Sequence, residues 1–117
     1  MTFRTLIRWA GAALTASGLV TALFWILAWR LGSFIGPEVV RNGLWAPSQM
    51  LHVLGAGLAV FGVVGLYARH WERMGAIGLV GFAGAVAGTM GFFADGVIAM
   101  AVFPALAADA PQLLGVQ

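Results

Sequence analysis

His52 is the residue whose type and position most invite chemistry, because it sits inside a long uncharged run and can hold or pass a proton. Ser48 and Gln49 precede it by four and three positions, which on a helix puts all three on one face. Asp95 interrupts a later apolar run. A histidine and a carboxylate facing each other between two helices would make a proton-sensitive or ligand-binding polar pocket. Arg30, closing the first apolar run, could bend inward to the same layer. The same residues also have a plainer use. An interhelical hydrogen bond that only fixes registry contributes about 1 kcal/mol, and Asp95 at a water interface would simply cap the segment after it.

His52 could alternatively be an axial ligand for haem or a chlorin, with Trp25, Trp29 and Trp45 nearby on the helices. His70 lies five helical turns further on, about 27 Å along the axis, so it cannot share one iron with His52. A second histidine would have to come from another subunit. Signatures of an enzyme are missing: no GxSxG, no HExxH, no phosphate loop. Glu38, Glu72, Asp95 and Asp109 are too scattered for a divalent metal cage, and the absence of cysteine rules out thiolate ligands. The expectation is a protein without catalysis, resident metal or cofactor.

The elements that carry these residues follow from composition. Of 117 residues, 62% are hydrophobic and 9% charged. Soluble domains carry roughly a quarter charged residues, and no interior of this size could hide such an apolar surplus. Three uncharged runs account for it: Trp9 to Trp29, Trp45 to Ala68 and Met74 to Ala94. The 24 residues of the second reach roughly 36 Å as a helix, enough to cross a bilayer. The expected fold is therefore all-α, an integral membrane bundle of three transmembrane helices with short loops, spans at about 9–31, 45–68 and 75–103. The basic start and first run also suit a signal peptide, but the run is long and ends in an aromatic belt, as retained helices do.

Residues 31–44 hold Gly32, Gly36, Pro37, Asn42 and Gly43 and read as a wet loop, with a short helical turn starting at Pro37. Arg69 to Arg73 reads as a tight polar connection, making the second and third spans antiparallel neighbours. That pairing puts His52 level with about residue 93, and Asp95 within about 3 Å of that depth. Pro104 is expected to end the last run, leaving an irregular tail from Ala105.

Small residues recur along all three runs: Gly11 with Thr15 and Gly18 with Ala22 in the first; Gly55, Ala59 and Gly62 in the second; Gly81, Gly84, Ala85 and Gly88 in the third. Lipid tails are as apolar as leucine, so helices in a bilayer associate through the close backbone approach that small residues permit. A compact bundle is expected, with faces to spare for other membrane subunits or a second copy. Arg4, Arg8, Arg69 and Arg73 fall at one end and Arg30 and Arg41 at the other, which places the N-terminus in the cytoplasm and the C-terminus outside. The six basic residues form no patch for nucleic acid.

From Leu51 to Phe93, a histidine-bearing helix ending in GLYAR is followed by a charged turn and a glycine-rich helix. This layout resembles one recurring in uncharacterised small bacterial multispanning membrane proteins. The resemblance implies a membrane location and little chemistry, and the expected place is a bacterial inner or cell membrane. Those proteins often continue into a further hydrophobic segment after a proline-containing linker, so the ending ADAPQLLGVQ is a departure that leaves open a shortened relative or an incomplete frame. The leading expectation is a non-catalytic accessory subunit of a larger membrane complex, with lipid and other membrane subunits as partners. The alternatives are a small oligomeric transporter or proton-coupled carrier using His52 and Asp95, and a haem- or chlorin-binding subunit.

Overall fold

A computed structural model describes residues 2–31 and 37–114, and every element among them is helical. Helix α1 covers Phe3–Leu31, α2 Pro37–Arg41, α3 Trp45–Ala101 and α4 Phe103–Asp109, and a single 3-10 turn follows at Pro111–Leu113. A straight helix of 57 residues would be about 85 Å long. The longest dimension of the molecule is 51 Å, because α3 folds back on itself at Gly75. Gly75 has φ 59° and ψ −156°, a conformation open essentially to glycine alone. The result is an antiparallel hairpin with a first arm from Trp45 to Met74 and a second from Ala76 to Ala101.

The expected connection at Arg69 to Arg73 is corrected by this geometry. Helix continues through Arg69, His70, Trp71, Glu72 and Arg73, since charge alone breaks no backbone hydrogen bond. The reversal comes at Gly75, so facing positions shift along the second arm. Tyr67 stacks on Phe82 with centroids 4.3 Å apart, and His52 lies against Gly96. The tail expected to be irregular from Ala105 is also corrected. Pro104 sits in the first turn of α4, where its missing N–H removes no bond within that helix, and the chain stays helical to Asp109.

Helix α1 runs antiparallel to the first arm and buries Ala10, Ala13, Ser17, Phe24 and Ala28, spaced for one helical face. Opposite them Gly55, Gly62 and Gly65 take the pressure of contact. A Cβ at Gly62 would lie 2.7 Å from Leu14 Cβ, and one at Gly65 would lie 2.0 Å from Ala10 Cβ. The small residues Gly11 and Gly18, expected in the helix contact, instead face open space. Gly81, Gly84 and Gly88 on the second arm do the same.

At the end opposite Gly75, α2, α4 and the 3-10 turn close a small apolar cap. Val40, Trp45, Ala99, Ala107 and Leu114 form its core, and Trp45 stacks on Phe103 at 6.2 Å. The Arg41 guanidinium donates to the carbonyl of Ala107, in the last turn of α4, where a cation also complements the helix dipole. Elsewhere the buried hydrophobic residues are mostly alanine, while Trp29, Ile77 and Val80 stand 85%, 88% and 72% exposed. Two stretches of helix, Phe3–Arg30 and Trp45–Asp109, are long and apolar enough to cross a membrane by length and composition.

Candidate functional site

Three helical arms converge on His52. Its ring meets Phe24 of α1 edge-on at 4.7 Å and Phe92 of the second arm at 5.8 Å. Its Nε2 lies 2.8 Å from the Phe92 carbonyl oxygen. A carbonyl only accepts, so Nε2–H is the donor, and in the neutral ring Nδ1 keeps a free lone pair. Asp95 Oδ2 lies 4.0 Å from the same Nε2, while the two side chains are 10% and 70% exposed. The fold therefore brings the expected pair together, but loosely: the close partner of the imidazole is backbone, and the carboxylate faces outward.

The other expected members of the layer scatter. Ser48 is 1% exposed, and its hydroxyl donates to the Trp45 carbonyl one turn earlier at 2.7 Å. Gln49 is buried, and its side chain hydrogen-bonds to no described residue. Arg30 is exposed at the end of α1 and makes no ion pair among the described residues. Among the described residues no three histidine, cysteine or acidic side chains converge as a metal site.

Beside His52 the arms leave a half-open cleft of about 220 Å³. Phe24, Trp25 and Phe92 form aromatic walls, and Gly55, Ala56 and Ala59 form a flat floor. Ser17, Thr21 and Thr89 supply hydroxyls. No family model, curated protein or solved structure matches this chain. The cleft must accordingly be understood from its own residues.

Two of its three hydroxyl protons are already used. Ser17 donates to the Gly55 carbonyl at 2.8 Å across the α1–α3 contact, and Thr89 donates to Ala85 at 2.7 Å within its own helix. Thr21 makes no hydrogen bond among the described residues. Ser17, Thr21 and Phe24 were not singled out from sequence, although Ala10, Ala13, Ser17, Phe24 and Ala28 follow one helical stripe that was there to be read. The glycines of α1 lay on another face and pointed the packing the wrong way.

Removing the Ser17 hydroxyl tests how much that cross-helix bond contributes. Ser17→Ala is expected to cost about 1 kcal/mol, the usual range for a polar contact between apolar helices. SDS titration of the protein in mixed micelles, followed by circular dichroism, reads the change. An unmoved midpoint would show that the bond adds nothing.

Proposed function

We propose that this protein is a three-span integral membrane protein that acts, without catalysis of its own, as a small subunit of a larger membrane assembly. The spans are α1 and the two arms of α3, with the Trp45 cap at one membrane surface. The arginine distribution favours a cytoplasmic N-terminus, because Arg4, Arg8, Arg69 and Arg73 share the end that carries Gly75. Such a placement gives lipid contact to the exposed apolar side chains that the fold leaves uncovered.

The observation that carries the subunit reading is the outward face of the second arm. A Cβ at Gly81, Gly84 or Gly88 meets nothing within 4 Å, whereas Gly55, Gly62 and Gly65 of the first arm are met by α1. Glycine weakens a helix and offers lipid little contact surface, but it lets another backbone approach closely. The second arm is thus suited to a helix of a partner subunit.

The test is purification in mild detergent, with wild type retaining a stoichiometric membrane partner. The double substitution Gly84→Leu/Gly88→Leu is expected to release that partner while leaving the helical content of the chain unchanged, since both positions are open. Retention of the partner by the double variant, or a wild-type chain that purifies alone, would remove the proposal. A carrier using His52 and Asp95 is the second reading, supported by their 4.0 Å approach. It requires His52→Leu to abolish proton flux into vesicles containing the protein.

A further inference from the structure

The His52 cleft is lined on the second arm by Thr89 and Phe92, within about one turn of Gly88, but it opens between that arm and α1, and its chemistry is specific. Going around the imidazole, Cδ2 is pressed against Gly96, where a Cβ would come within 2.7 Å, and Nε2–H is bonded to the Phe92 carbonyl. The edge left for the cleft is Cε1 and Nδ1. Nδ1 needs a donor: Ser17 and Thr89 have spent their hydroxyl protons, and Thr21, which keeps its own, makes no hydrogen bond to His52 among the described residues. A ligand whose polar atoms only accept leaves Nδ1 unsatisfied. Among the described residues no arginine and no carboxylate lines the cleft, so an ionic ligand would be desolvated without a counter-charge. A neutral O–H group fits, and Thr21 can bond the oxygen that carries it.

Shape narrows the ligand further. At about 220 Å³ the cleft falls below the size usual for drug-sized ligands, which favours one ring over a tetrapyrrole macrocycle. Phe24, Trp25 and Phe92 offer aromatic surface, and the floor of Gly55, Ala56 and Ala59 lets a flat ring approach the helix backbone. Along the first arm the lining runs from His52 to Ala59, about 10 Å of axial length. In the membrane placement proposed above, that depth runs from near the outer surface toward the middle, and the open side gives onto lipid. We propose that the cleft binds the ring of a lipid-soluble phenol or quinol, its hydroxyl donating to His52 Nδ1.

The proposal shares the membrane placement with the subunit reading but needs no partner protein, so it is tested on the isolated chain in micelles. The probes are 4-hexylphenol and 4-hexylanisole, which share ring and tail and differ in the O–H donor. With histidine ¹⁵N-labelled, 4-hexylphenol is expected to bind saturably and move the Nδ1 resonance of His52 while leaving His70 in place. The anisole is expected to bind about five- to tenfold more weakly, the worth of one hydrogen bond, and to leave Nδ1 unmoved. His52→Leu should erase the preference for the phenol. Ala59→Leu, which fills the cleft without touching a hydrogen bond, should remove saturable binding of both and decides the matter if His52→Leu does not fold. Equal affinities, unsaturable partition of both compounds into the micelle only, or a His52 shift that survives Ala59→Leu would each overturn the site. None of those results bears on whether Gly84→Leu/Gly88→Leu releases a partner.

Discussion

Gly65→Ala is expected to destabilise the packing of α1 on α3 by about 1–3 kcal/mol, against the direction that helix propensity alone dictates. Alanine is the better helix former by up to about 1 kcal/mol, so a glycine in open surroundings should gain from the change. At Gly65 the new Cβ would lie 2.0 Å from Ala10 Cβ, which forces the two helices apart. Separation loosens the neighbouring contacts of Gly62 and Gly55 as well, because all three lie on one seam. Ala10 Cα is 3.5 Å from the same position, an ordinary contact. The double variant Ala10→Gly/Gly65→Ala therefore exchanges the methyl group between helices and is expected to recover most of the loss. A double-mutant cycle by SDS titration in mixed micelles measures the coupling, with Gly84→Ala as the open-site control. Additive single effects would mean that the helices do not meet at this point.

The second large effect is expected at the reversal. Gly75→Ala should cost about 1–3 kcal/mol, and the reason is backbone alone, since nothing lies within 4 Å of the added Cβ. The φ of 59° with ψ of −156° is strained for any L side chain. An alanine there also removes the obstacle to one continuous helix from Trp45 to Ala101. The chain contains no cysteine, so Leu54→Cys and Ala94→Cys can carry spin labels without background. These positions are nearly level across the hairpin, whereas 40 residues of unbroken helix would separate them by roughly 60 Å. Pulsed electron–electron distances should be short in wild type and gain a long component in Gly75→Ala. A distribution identical in both would show that Gly75 does not hold the turn.

The contrast between Gly65, Gly75 and Gly84 explains why the glycine pattern misled in part. All three are the same residue in an apolar run, and spacing alone treats them alike. In the fold one meets a neighbouring helix, one takes a backbone conformation closed to other residues, and one meets nothing. The choice depends on where α1 lies around the first arm, which no local pattern encodes. His52 and Asp95 illustrate the opposite case. Their proximity was legible because a short reversal between two runs constrains depth to within a helical turn or so. It survived even though the turn lies at Gly75 and the helix passes through Arg69 to Arg73.

The chain by itself determined an all-helical protein, a hairpin between its later apolar runs and a short turn from Pro37, because hydropathy, helix length and proline preference act over neighbouring residues. Only the tertiary structure decided that the imidazole of His52 bonds the Phe92 carbonyl, that Asp95 stays largely exposed, and that Ser17, Thr21 and Phe24 wall the cleft. The physical reason is rotational: rise along an axis sets which residues share a level, but the angle at which helices face one another depends on contacts made by the whole seam.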